Sequence, residues 1–310
     1  MAIRLGLSLP QARQYDLGRD VPDVARTAER IGYESLWVYE RALFPDPPTQ
    51  GLGGMEGVPW PDHYRAVPEP LVTLTLAVAA TERAELGTSV LVAPLHGPFQ
   101  LAKSLATLDA ASGGRVVAGL GTGWSTDEYA AAGVGPFAER GRILDEIIDV
   151  CRAVWGPDPV QYEGRHLRIA SAAVGPKPAR PLPILLPSFS RKSMLRLVDR
   201  ADGWMPIAMA GPRQLAEEWS QLRDLAAERG RTRPIRTSVR VNAQYTPKAY
   251  DGSDRAPFQG SVDQMVEDLV AHAGIGLEEF FFDLQGGTRD AQELKDVAAE
   301  LYEKARAAGV

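Results

Sequence analysis

Cysteine is almost absent: the 310-residue chain carries one, Cys151. A single thiol excludes an internal disulfide, and with no second cysteine the thiolate zinc sites are excluded too. Cys151 sits in an apolar helical pattern and reads as a packed core thiol. Histidine is scarce, four in all, and neither an H-x-x-x-H pair nor a carboxylate cluster suggests a metal. No apolar run approaches the roughly 18 residues of a membrane span. The opening MAIRLGLSLP passes straight into a strand pattern, with no charged leader or cleavage site. These features predict a soluble cytoplasmic protein with no membrane attachment. A basic excess is missing as well. The net charge of −6 argues against a general affinity for nucleic acid, whose binders carry a basic face. It leaves room for a local basic pocket that takes an anionic cofactor.

What is present is a regular alternation. Strand patterns appear in IRLGLSLP, ESLWVYE, AELGTSVLVAP, RVVAGLG, LPILLPS, GWMPIAM, IRTSVRVNAQY and EEFFFDLQ. Helical periodicity appears in VPDVARTAERIGY, EPLVTLTLAVAATE, GPFQLAKSLATLDAASGG, AERGRILDEIIDVCRAVW, SRKSMLRLVDRAD, PRQLAEEWSQLRDLAAERG, SVDQMVEDLVAHAG and AQELKDVAAELYEKARAA. Eight strands alternating with eight helices predict a parallel sheet with right-handed crossovers. A count of eight favours closure into a (β/α)8 barrel over an open doubly wound sheet. One barrel domain over residues 1–310 accommodates the length. Two stretches break the alternation. Residues 41–68, after strand two, are rich in Pro and Gly and lack a period, and so long a loop is usually functional when ordered. Residues 155–182, between strands four and five, read as an irregular insertion with short β pieces.

The stretch RVVAGLGTGW, Arg115 to Trp124, sets three glycines at alternate positions after an apolar run. A dinucleotide fingerprint requires G-x-G-x-x-G, and aligning it on Gly119 and Gly121 puts Trp124 where the third glycine belongs. An indole there blocks the close approach of helix and strand. In a barrel, GTGW instead stands at the carboxyl end of strand four, on the face where barrel active sites lie. Gly121 and Gly123 would let backbone approach a ligand, and Trp124 would form a flat apolar wall. A tight turn with a surface tryptophan is the plainer reading.

The pieces AERIGYESLWVYER, EPLVTLTLAVAATERAELGTSVLVAPLHGPFQLAKSLATLDAASGGRVVAGLGTGWSTDEYAAAGV, FAERGRILDEIIDVCRAVW, YEGRH, KPARPLPILLPSFS and RADGW, in this order and spacing, make the chain resemble one family. It is the bacterial-luciferase-like family of flavin- and deazaflavin-dependent oxidoreductases. The resemblance covers nearly the whole length and implies a (β/α)8 barrel with an insertion before the later strands. Within the family the chain is most similar to the branch that uses the deazaflavin coenzyme F420, on the long 41–68 segment and on LGTSVLVAPLHGP. FMN-using members share most of the scaffold.

The resemblance implies a cofactor site. A non-prolyl cis peptide at strand three, matched by Ser89 and Val90, would back the ring. The phosphate would lie between the turn Gly121, Thr122, Gly123 and Trp124 and the turn PSFSRKS, which holds Ser188, Phe189, Ser190 and Arg191. Ser188 and Ser190 stand ahead of helix five, where free N–H groups and the helix dipole favour an anion. Ser190 as a plain N-cap beside solvated cations is the alternative. Lys103, Arg191 and Lys192 are candidate contacts for the polyglutamate tail of F420. Many family members carry an acid–histidine pair at the end of strand two. Here the pair is Glu40-Arg41, so Glu40 either acts on the substrate or pairs with Arg41. His96, after strand three on the same face, is the best remaining imidazole for proton transfer. His63 reaches a substrate only if its loop folds over the barrel mouth, whereas His166 and His272 read as peripheral. Asp127 and Glu128 start a helix, where the dipole alone favours acids.

Hydride transfer between F420 and a small organic substrate is the leading expectation. An FMN-dependent monooxygenase is the second, and a cofactor-free binding protein on the same scaffold the third. Apolar positions in LVTLTLAVAA serve either a homodimer interface or core packing.

Overall fold

A computed structural model describes residues 3–310. Its eight barrel strands are β1 (Arg4–Ser8), β2 (Ser35–Val38), β3 (Glu85–Thr88), β4 (Val116–Gly121), β5 (Ile184–Leu186), β6 (Gly203–Trp204), β7 (Arg236–Asn242) and β8 (Glu279–Asp283). Each pairs in parallel with its sequence neighbours, and β8 pairs with β1, so the sheet closes as expected. Past Thr88, residues Leu91–Val92 form a second ladder against Leu120 and Gly121. Around the barrel run α1 (Leu17–Ile31), α2 (Pro70–Val78), α3 (Pro98–Ser112), α4 (Thr126–Ala132), α5 (Arg140–Trp155), α6 (Arg191–Arg200), α7 (Pro212–Glu228), α8 (Val262–Ala273) and α9 (Ala291–Ala307). No helix among the described residues is long and apolar enough to cross a membrane.

The departures from expectation have local causes. Helix α1 starts at Leu17, ahead of the expected Val21, because the Asp16 side chain caps it by accepting from the Arg19 N–H at 2.7 Å. Pro22 therefore lies inside the helix, not at its head. Residues 41–68 hold two short 3₁₀ turns, Leu52–Gly54 and Asp62–Ala66. The 155–182 insertion contains an antiparallel ribbon, Val160–Glu163 with Arg168–Ala172. After β7 a two-residue parallel ladder, Gln244–Tyr245 with Gln259–Gly260, was not anticipated. Cys151 is buried in α5.

Alternate residues of each strand face outward to the helices or inward to the barrel axis. The outward set, such as Val239, Val241, Phe280 and Phe282, joins the main core with the helix stripes. The inward set is layered. Near the amino ends of the strands, Glu85 takes Arg4 at 2.7 Å and Arg236 at 2.6 Å. Arg236 also reaches Glu279 at 3.2 Å, and Ser35 and Ser238 donate to the same Glu279 carboxylate. Above this charged layer lies an apolar plug of Trp37, Val117, Leu185, Met205 and Phe281, with Val90 packed on it. The Trp37 and Phe281 rings stack with centroids 4.5 Å apart. Gly87 is required here, since a Cβ would stand 2.2 Å from the Trp37 ring.

The charged layer carries a pH signature. Burial alone would push the Glu85 carboxyl up, but the guanidinium groups of Arg236 and Arg4 outweigh it and hold the pKa at about 2. A carboxylate depressed in the fold stabilises fully above its unfolded pKa and loses that contribution as pH falls through the folded value. Glu85→Gln should lower unfolding stability at pH 7 by about 3 kcal/mol, because it leaves three guanidinium groups, those of Arg4, Arg236 and Arg180, short of a partner. Urea midpoints should show the gap between variant and wild type narrowing from pH 5 towards pH 2. A constant gap over that range contradicts the assignment.

Candidate active site

The carboxyl ends of β2, β3 and β4 are tied together around one buried carboxylate. Glu40 follows β2 and is 7% exposed. Its Oε2 accepts from the Val92 N–H at 2.5 Å, and its Oε1 lies 2.8 Å from Nε2 of His96. The alternative pairing of Glu40 with Arg41 does not form through the carboxylate. Arg41 donates to the Glu40 backbone oxygen at 2.6 Å and turns its head to Glu128, 3.1 Å away. The imidazole partner of Glu40 comes from the loop after strand three, as His96. Burial works against a charge on His96, but the Glu40 hydrogen bond and carboxylate outweigh it and raise its pKa.

The Ser89–Val90 peptide bond is cis. Ser89 donates from its backbone N–H to the Val38 carbonyl at 2.6 Å, and its own carbonyl accepts from Arg240 at 2.5 Å. The glycine turn carries a packing constraint. A Cβ at Gly121 would stand 2.5 Å from Val90 Cγ2, and one at Gly123 would stand 2.5 Å from Val92 Cγ1. Gly123 also has φ +67°, where side chains are disfavoured. Both glycines thus make room for the Val90–Val92 segment. Thr122 accepts at its carbonyl from the Tyr129 hydroxyl at 2.7 Å. Trp124 packs against Trp60 of the long loop, with centroids 4.7 Å apart, and under the Arg41 guanidinium.

Trp124 and α4 form the anchor of the 41–68 loop. The Gln50 side chain donates to the Trp124 carbonyl at 2.5 Å and accepts from Thr126 at 2.9 Å. Thr49 donates to Asp127, and the Ala42 N–H donates to Glu128 at 2.8 Å. The two acids at the head of α4 therefore hold the loop as well as complementing a dipole. The loop does fold over the mouth. Tyr64 lies 5.7 Å from Tyr39, and His63 packs edge-on against Tyr64 at 4.7 Å. Burial lowers the His63 pKa, with Asp283 and Arg240 close enough to act on it.

A polar belt at the mouth escaped the sequence reading. Arg240 donates to Ser89, to Asn242 at 2.7 Å and to Asp283 at 2.7 Å. Gln285 donates to Asp283 and accepts from Gln11, which in turn brackets both backbone groups of Tyr39. The Tyr39 hydroxyl is buried and has no partner among the described residues. Arg240 lies 5.1 Å from the Tyr39 ring centroid. One signal did exist. In RTSVRVN the residues Arg236, Ser238, Arg240 and Asn242 alternate, and a strand buried on both faces has no solvent side for them.

The turn after β5 lines a groove against α7. Ser188 is buried, and Ser190 caps α6 in a reciprocal box with Ser193. Phe189 is 73% exposed and Arg191 pairs with Glu228 at 3.6 Å. All four line a groove of about 750 Å³ whose α7 wall carries Glu217, Glu218, Asp224 and Glu228. Lys103, also expected to meet an anionic tail, donates instead to the Gly175 carbonyl. Of the remaining histidines, His166 is exposed. His272 is not peripheral: it is buried between Phe258 and Phe280 and bonds the Asp268 carbonyl. No group of three or more His, Cys, Asp or Glu among the described residues is placed to hold a metal ion.

An apolar cluster and one unpaired polar group meet beneath the mouth, features in keeping with a ring-binding surface. The Trp37–Phe281 plug is a floor, Val90 stands on it, and the unpartnered Tyr39 hydroxyl is a buried hydrogen-bonding group that the fold does not use. The comparisons agree with this architecture. A family profile described as luciferase-like monooxygenase matches residues 8–307. A Mycobacterium tuberculosis protein is 34% identical over 197 residues, 61% of this chain and 68% of that one. An F420-dependent glucose-6-phosphate dehydrogenase of Amycolatopsis mediterranei is 29% identical over 171 residues, 54% of this chain and 47% of that one. The crystal structure of a monooxygenase from Streptomyces bottropensis superposes with a TM-score of 0.79 at 17% identity, covering 99% of this chain and 100% of that one.

The Glu40–His96 contact can be tested without any ligand. The imidazole should titrate above its usual 6.5 in the wild type and below it in Glu40→Gln, where burial remains and the carboxylate is gone. A histidine raised in the fold stabilises below its unfolded pKa and loses that contribution as pH rises through the folded value. NMR titration of the His96 ring in both proteins reads the shift directly. Equal titration curves would separate the two side chains.

Proposed function

The chain belongs to the luciferase-like monooxygenase family, and on that premise we propose that it is an oxidoreductase that moves a hydride between coenzyme F420 and a small organic substrate. The observation that carries the reading is the buried Glu40–His96 pair, 2.8 Å apart, at the carboxyl ends of the strands. The partial match to an F420-dependent dehydrogenase supports the choice of cofactor.

Ser89 and Val90 would back the ring, with Trp37 and Phe281 beneath, and Ser188 and Ser190 would receive the phosphate. The bound deazaflavin supplies the two-electron hydride chemistry. The chain supplies the proton chemistry. With Nε2–H directed at Glu40, the free Nδ1 of His96 takes the proton of a substrate hydroxyl or returns it to a carbonyl oxygen. The Glu40 carboxylate holds the imidazole in that tautomer and stabilises its charged form, as the acid of a catalytic triad does. The 41–68 loop, pinned through Gln50 and Glu128, excludes water from the mouth and shapes the substrate space.

A second reading, an FMN-dependent monooxygenase, is favoured by one observation. The groove beyond Ser188 and Ser190 is walled by four acids, and the one cation lining it, Arg191, pairs with Glu228. That field repels a polyglutamate tail, whereas FMN ends at its phosphate.

Titration of the purified protein with F420 and with FMN, followed by fluorescence and thermal shift, separates the readings. The first predicts saturable F420 binding tighter than FMN, and the second the reverse order. Binding of neither would leave a cofactor-free protein. With F420 bound, His96→Gln should slow hydride transfer about 10²- to 10⁴-fold while cofactor affinity changes little. A rate within a factor of about two of wild type removes His96 from the chemistry.

A further inference from the structure

The polar belt at the mouth contains one group without a protein partner. Arg240 spends its donors on the Ser89 carbonyl, Asn242 and Asp283. Asp283 is taken by Arg240 and Gln285, and Gln11 by the Tyr39 backbone. The Tyr39 hydroxyl alone is enclosed and unpaired. Phenylalanine would fill the same space without burying an unsatisfied oxygen, so the hydroxyl is a cost that folding does not recover. Its position is informative. The Arg240 guanidinium lies over the Tyr39 ring and also bonds the carbonyl of Ser89. The phenol therefore stands one guanidinium away from the peptide assigned as the backing of the ring.

We infer that the Tyr39 hydroxyl donates a hydrogen bond to a carbonyl oxygen on the edge of the bound ring, and that the Asp62–Ala66 turn is the cover that moves aside to admit it. This rests on the reading that a flavin-type ring lies against Ser89–Val90. Burial raises the phenol pKa far above its ordinary value, so the group keeps its proton throughout the working pH range and offers it to an acceptor. Flavins and deazaflavins both present a pyrimidine dione with two carbonyl oxygens, so the assignment holds for either cofactor. The cover is lightly held. Tyr64 lies against Tyr39 with His63 packed on Tyr64; Asp62 ties the turn to Arg13 at 2.7 Å and pairs within the turn with Arg65 at 2.8 Å, whose guanidinium also lies 4.0 Å from the Phe44 ring centroid. All three charged side chains are about half exposed, and such pairs contribute little.

Stopped-flow binding of F420 and of FMN to wild type, Tyr39→Phe and Tyr64→Ala tests both parts. Without cofactor, Tyr39→Phe should melt at or above the wild-type temperature. With cofactor, its association rate should match wild type, its dissociation rate should rise about 5- to 10-fold, and the bound cofactor's absorption maximum should move. Tyr64→Ala should instead raise the association rate. Dissociation at the wild-type rate with an unmoved spectrum overturns the hydroxyl's role, as does a loss of thermal stability in Tyr39→Phe. An unchanged association rate in Tyr64→Ala overturns the cover. Failure of the wild type to bind either cofactor overturns the ring reading itself, and this inference with it.

Discussion

A single buried carboxylate organises the mouth of this barrel. Glu40 holds the Val92 backbone with one oxygen and His96 with the other, so strand two fixes both the path of the chain after strand three and the imidazole that follows. Its neighbour Arg41 serves Glu128 at the head of α4 and stacks over Trp124, which ties in strand four and the long loop. Buried carboxylates persist when hydrogen bonds offset their desolvation. Here the offsetting partners are a backbone amide and an imidazole, and both belong to the functional face.

Beneath that face the interior is graded. Charged residues fill the amino end, where Glu85 and Glu279 answer Arg4 and Arg236. An indole and a phenyl ring seal the middle. Polar groups with assigned partners ring the top, Tyr39 excepted. The order separates stability from chemistry, as barrel folds do by placing active sites at the carboxyl ends of the strands. The plug also closes the barrel interior, so that no pore runs through the molecule.

Much of this was legible in the sequence and some was not, for physical reasons. Parallel strands buried on both faces appear as short apolar runs between helical periods, so all eight were visible, as were the two irregular segments. The apolar spacing over VPDVARTAERIGY marks the body of α1, but the Asp16 cap sets its start four residues earlier, at Leu17. The acids Asp127 and Glu128 were placed at a helix head, while the partners that make them anchors lie some 80 residues away in sequence. Glu40 and His96 were each visible as candidates. Their contact was not, because it depends on how the chain bends between Thr88 and His96. Gly121 and Gly123 were visible as a tight turn, yet what fills the space beside them is Val90 and Val92. The turn after strand five looked like an anion site from its serines and cations. The acidic wall of α7 that faces it became apparent only once the helices were packed.

The same scaffold thus brings together a buried carboxylate–imidazole pair, an apolar floor and a serine turn at the head of α6, beside an acidic groove. The central claim is that one ring ligand touches the ends of strands two to five together. Hydrogen-exchange mass spectrometry with and without F420, repeated with FMN, tests it most directly. The account predicts that one of these ligands slows exchange together in residues 38–41, 88–97, 121–125 and 188–193, with the outer helices unchanged. Protection confined to the α6–α7 groove, or spread over the outer helices while the strand ends exchange as before, would contradict it.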